Sequence, residues 1–166
     1  MRCSDVLQGL AVAPNVSLAE PTTDMNQLRG LETLLRRRLL YEPRALRLAI
    51  PRLRDADVAD AESILVRCDL SMLAKSRVKL ALDYHGRLMQ RCGDTALLAR
   101  VLTVHATVLE NISERASVIL TGERTQHQLW CLLEHCRRRQ TDQALDILRE
   151  AIDCACLGIS EIAGRA

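Results

Sequence analysis

Phenylalanine is missing from this sequence, and one tryptophan and two tyrosines are the only aromatic residues among 166. Base stacking on single-stranded nucleic acid therefore has almost no platform. Hydrophobic residues still make up 48% of the chain, so a sizeable core is available and wholesale disorder is excluded. Leu, Ala, Val and Ile must fill that core. Leu, Ala, Arg and Glu favour helix and β-branched runs are short, which predicts an all-α fold.

Other absences narrow the function. A net charge of +2 argues against a dominant phosphate-binding surface, and the Arg runs "LRRRLL" and "CRRRQ" read as solvated helix faces. The seven cysteines (3, 68, 92, 131, 136, 154, 156) contain no C-x-x-C pair. Several fall on apolar helix faces, the usage of buried thiols in a reducing cytoplasm. No apolar run approaches the ~20 residues of a membrane span, and no signal-peptide order opens the chain. Gly-rich phosphate loops, a Ser-His-Asp order and an HExxH motif are all lacking. Asp55 and Asp57 read as helix-start residues rather than an acid/base pair.

What is present is helical periodicity. Residues 1–24 carry Pro, Ser and Thr without a period and read as an extended arm, with short strand pairing allowed over 9–20. From Asp24 onward, "DMNQLRGLETLLRRRLLYE" puts Leu28, Leu31, Leu35 and Leu39 on one side, and Pro43 is expected to kink or restart the helix. A short helix should follow to Pro51, then one with Asp55 as N-cap. A long helix is predicted from Ser71 to Cys92, ended by Gly93. Another, capped by Asp94 or Thr95, should run through residue 120. Two more follow Gly122 and Thr141, the latter as N-cap. Short connections make neighbours antiparallel.

At 100° per residue, inward polar positions can be picked out. Val78, Ala81, His85, Leu88, Met89 and Cys92 share an arc of about 100°, while Asp83 points the opposite way. Leu31, Leu35, Arg38 and Glu42 fall within an arc of about 60°. Arg38 should therefore face the core with Glu42 one turn on. Two roles remain open for it: a structural ion pair, or a grip on an acidic ligand. His127, Cys131 and His135 have metal-ligand spacing, but they lie opposite the face marked by Leu129, Leu132, Leu133 and Cys136, so a stripe that is solvent-exposed or part of an oligomer contact is expected.

"LDYHGRLMQRCGDTALLARVL" resembles the effector domain of FadR-type GntR transcription regulators, the all-helical domain called FCD. That family reads D-x-x-F-H-x-x-L, then G-N-x-x-L-L. "LLEHCRRRQTDQALDILREAI" is similar to its final helical hairpin. "LRRRLLYEPRALRLAIPRLRDADVADAESIL" resembles its opening helices, with Arg38 at the family's helix-one arginine and Glu42 at the Glu of its L-E-P. The likeness runs in order over residues 25 to 157.

The resemblance implies an antiparallel bundle of six or seven helices around a cavity for a small, carboxylate-bearing effector, in a homodimer. Many members hold a divalent metal with one Asp and three His. Carried over by position, the Asp falls on Ala81 and the first His on His85. The second and third His fall on Leu129 and Ala151. One imidazole cannot hold a metal, so no metal or cofactor is expected and His85 becomes a cavity or core histidine. Sliding the register to use His127 breaks the match at "LLEHCRRRQTDQAL". The implied ligand wall is Arg38, His85, Ala81, Leu129 and Ala151.

The family's winged helix, a module of ~70 residues, does not precede the bundle here, and residues 9 to 23 look like the tail of its wing. The chain is thus expected to be a truncated or free-standing regulator domain, cytoplasmic, without membrane contact or sequence-specific DNA binding of its own. Two alternatives stand beside it. One is an enzyme in the former effector cavity, with His85 as acid/base and Arg38 as carboxylate anchor. The other is a helical adaptor.

Overall fold

The computed structural model describes residues 21–165, and all the regular structure in that span is helical. The expected strand pairing over 9–20, and the arm as far as residue 20, lie outside the described residues. Seven α-helices follow one another: α1 (Pro21–Ala49), α2 (Asp55–Leu70), α3 (Ala74–Met89), α4 (Thr95–Asn111), α5 (Glu114–Leu120), α6 (Glu123–Arg137) and α7 (Thr141–Arg165), with a 3-10 turn at Ile50–Arg52 after α1. The all-α bundle is the predicted fold class.

α1 is the axis of the bundle. It packs most extensively on α7 and α4 and also meets α3, while α2 pairs with α3 and α6 with α7. Leu28, Leu31 and Leu35 are buried along its inner face, in phase with a 3.6-residue period. Pro43 does not restart the helix, as one expectation had it: α1 continues through it to Ala49. A proline removes one backbone bond, and burial of Ala45, Leu46 and Ala49 on the following turns holds the helix across the gap. α1 also starts at Pro21, so residues 21–24 are helical rather than part of an extended arm. Proline at a first helical position costs no bond.

Further boundaries differ from the periodicity, among them the end of α3, which stops at Met89 rather than Cys92. α3 begins at Ala74, because Ser71 and Leu73 take extended backbone where the chain reverses out of α2. The run expected through residue 120 breaks after α4. Ile112 is extended and buried, and Ser113 caps α5 by accepting the Ala116 N–H at 3.2 Å. Arg54, not Asp55, is the cap residue of α2, and its N–H is received by the Asp57 carboxylate at 3.0 Å. Thr141 is the first residue of α7 rather than its cap.

Asp94 caps α4 as expected, accepting the Leu97 N–H at 2.8 Å. Gly93 has a φ of +74°, in the left-handed region that favours glycine. A Cβ there would lie 2.7 Å from Nη1 of Arg52, whose guanidinium donates to the Cys92 carbonyl. Cys68, Cys92, Cys136 and Cys156 are buried free thiols. Among the described residues no helix is long and apolar enough to cross a membrane.

Candidate functional site

Helical phase brings four polar side chains together inside this leucine-rich bundle. α1 turns Arg38 and Glu42 inward one turn apart, α3 supplies His85 and α4 supplies His105. All four are buried, Glu42 completely. Asp83 points outward, as its phase predicts, and accepts Lys79 at 2.7 Å.

Glu42 is the hub. Arg38 donates to it through Nε to Oε1 and through Nη2 to Oε2, the second at 3.1 Å. His105 Nε2 sits 2.6 Å from Oε1, and His85 Nδ1 lies 3.5 Å from Oε2. Desolvation pushes the Glu42 carboxyl up, but the charge of Arg38 and the two imidazoles outweigh it, holding the group well below the usual carboxylate range. The predicted Arg38–Glu42 ion pair is therefore formed.

His85 is held in the opposite sense. Burial pushes its pKa down to about 3, Glu42 opposes this, and Arg38 and His105 add to the fall. It is neutral at pH 7. Its Nδ1 is buried without a hydrogen-bond partner, and its ring meets those of Tyr84 and His105 edge-on at 5.4 and 6.5 Å. Tyr84 is fixed in turn by donating to the Leu129 carbonyl at 2.9 Å.

Beside this cluster lies a partly open cavity of about 50 Å³. Arg38, Ala81, His85, Leu129 and Ala151, the five positions that the resemblance implies for a ligand wall, all line it. They come from α1, α3, α6 and α7, so only the packed bundle brings them together. The remaining wall is aliphatic apart from Thr125 at the start of α6.

A divalent metal does not fit this donor set. Of the four carried-over positions only His85 offers a nitrogen, and its Nδ1 turns toward Glu42. Among the described residues no group of three or more His, Cys, Asp or Glu side chains is placed to hold one. On the outer face of α6, His127 is exposed and its Nε2 lies 3.4 Å from Cys131 Sγ, whereas His135 Nδ1 is engaged with Gln140 at 2.7 Å. That stripe does not reach the cavity.

His105 is the member of the cluster that periodicity could have found and did not. Val101, Val104, Val108 and Ile112 share its face and are buried with it. Its partner Glu42 stands 63 residues away in sequence, which no spacing rule reveals. Chemically, the arrangement offers one guanidinium fork and a neutral imidazole at one side of an otherwise apolar hollow. Such a site suits the head and body of a small amphipathic acid.

Residues 33–153 match the protein family described as the FCD domain. A transcriptional regulator of the GntR family from Pseudomonas syringae pv. tomato str. DC3000 shares the fold with a TM-score of 0.72 at 20% identity, over 84% of this chain and 61% of that one. Streptococcus agalactiae GntR matches with a TM-score of 0.54 at 17% identity, over 92% of this chain and 64% of that one. The chain thus spans less than two thirds of the length of either regulator. No curated protein matches it.

Proposed function

Since the chain belongs to the FCD domain family, an effector-binding regulatory domain, we propose that it senses a small organic acid for a GntR-type regulator, as a homodimer, with the acid's carboxylate at Arg38. The carrying observation is convergence. Five positions singled out by the resemblance, on four helices, surround one cavity with a buried cation on its wall. An anion entering low-dielectric surroundings needs such a counter-charge, and the planar guanidinium supplies paired donors for it.

The enzyme reading gains nothing comparable. A general acid or base works best with a pKa near the working pH, and His85 is pushed down to about 3. A helical adaptor would need no cavity and no buried charge cluster. With its small net charge, this chain alone is expected to bind duplex DNA weakly and without sequence preference.

Thermal-shift titration with mono-, di- and hydroxy-carboxylic acids tests the proposal. A ligand at 100 times its Kd should add about 2.7 kcal/mol of stability. Arg38→Lys should weaken the effect while keeping a buried positive charge. A panel that leaves the melting temperature unchanged at millimolar concentration contradicts acid sensing. Sedimentation analysis reads the homodimer separately.

A further inference from the structure

Three of the four cavity positions where the family's metal ligands fall are hydrocarbon in this chain. Ala81, Leu129 and Ala151 line the same hollow as His85, so the wall where the resemblance implies a metal is apolar, and no other donor group replaces it among the described residues. An effector that chelates a metal through hydroxyl and carboxylate oxygens would meet carbon there. Resting on the acid-sensing reading above, we propose that the effector is a short aliphatic monocarboxylic acid, bound without a metal, with its carboxylate at Arg38 and its tail against Ala81, Leu129 and Ala151.

Charge limits the ligand to one carboxylate. Arg38 is the single buried cationic side chain on the wall, and Glu42 already takes two of its donors. A guanidinium has five N–H groups, so it can keep Glu42 and still offer donors to a ligand. His105 helps by holding Glu42 from the other side. A second carboxylate would find only the Thr125 hydroxyl and the neutral His85 ring, neither of which balances a charge.

Polarity limits the tail. A hydroxyl against the Ala81, Leu129 and Ala151 carbons has no partner, which should lower affinity roughly tenfold to a hundredfold. Size limits its length. The hollow measures about 50 Å³, so only a short chain fits it, and propanoate, butanoate and pentanoate are the acids proposed.

Calorimetric titration of the chain with propanoate, butanoate, pentanoate, succinate, gluconate and butylamine tests the assignment, with EDTA present throughout. The expected series is saturable binding of the three monoacids, tightening about fourfold per methylene, with succinate, gluconate and butylamine at least tenfold weaker than pentanoate. Ala151→Leu should fill the tail end and abolish pentanoate binding. Should that variant unfold, Ala151→Ser instead should flatten the gain per methylene. Tighter binding of succinate or gluconate than of pentanoate, or binding that appears only when Zn²⁺ or Ni²⁺ replaces EDTA, overturns the ligand class and leaves acid sensing intact. Should no acid bind in either condition, acid sensing falls and this assignment with it.

Discussion

Glu42 and Asp57 are both buried carboxylates held by arginine, yet their surroundings differ in kind. Asp57 draws its partners from the surface: Arg91 Nε at 3.0 Å, Arg87 Nη2 at 3.2 Å and the Arg54 N–H at 3.0 Å. The Arg91 and Arg87 side chains keep 39% and 25% of their area exposed, so water can replace either. The hydrogen bond from Arg91 does most to hold the Asp57 carboxyl below its usual range. Glu42 has no such recourse. Arg38, His85 and His105 are all buried, one imidazole nitrogen is unpartnered and a cavity adjoins the cluster. A redundant, half-wet carboxylate cluster staples α2 to α3. A dry one beside a hollow has the makings of a binding site.

The largest expected effect separates the two clusters directly. Arg38→Ala should cost about 3–5 kcal/mol in urea unfolding, because it strands a buried carboxylate, and should also abolish acid binding. Acid binding retained in a destabilised Arg38→Ala protein would confine Arg38 to a structural role. Glu42→Gln keeps the shape and removes the charge, so a loss of about 2 kcal/mol is expected. Its acid affinity should rise, since the guanidinium then has no competing carboxylate. A fall in affinity would show instead that Glu42 orients Arg38 for the ligand.

Acid should act on the Glu42 cluster in two stages. The unfolded chain protonates His85 near pH 6.5, whereas the folded chain keeps it neutral down to about 3. Between those values the unfolded state holds the extra proton, so stability falls as pH falls. Below about 4.5 Glu42 adds a loss of the same sign, its folded carboxyl being depressed below that value. Urea midpoints should therefore decline from pH 6.5 downward, and His85→Asn should flatten the part above 4.5. An unchanged slope in that variant would place the titration elsewhere. The smallest effect is expected from Arg91→Ala, within about 1 kcal/mol, because its pair with Asp57 is half-exposed and Arg87 and the Arg54 N–H remain. A loss as large as that of Arg38→Ala would erase the contrast between the clusters.

Much of this was legible in the residues. Leucine spacing put Arg38 and Glu42 inward on α1, and the arc through Val78, His85 and Met89 turned Asp83 out. The ordered resemblance supplied Ala81, Leu129 and Ala151, which no local pattern marks as cavity positions. Periodicity failed where tertiary packing overrides local cost. Pro43 was expected to kink or restart α1, but the buried turns beyond it let the helix continue. Ile112 continues an apolar period into a place where the chain leaves the helix to bury that side chain. His105 carried a readable signal in its valine neighbours, yet its meaning depends on Glu42 across the bundle.

The most direct test uses the four histidines as reporters, two in the cluster and two on the outer face of α6. Ring-nitrogen NMR of ¹⁵N-histidine-labelled protein, titrated with the tightest-binding acid of the mono-, di- and hydroxy-acid panel, follows all four at once. The expected result is saturable shifts at His85 and His105, with His127 and His135 unmoved. Shifts confined to His127 and His135, or binding that leaves His85 and His105 untouched, would contradict an effector site in the cavity walled by Arg38 and His85.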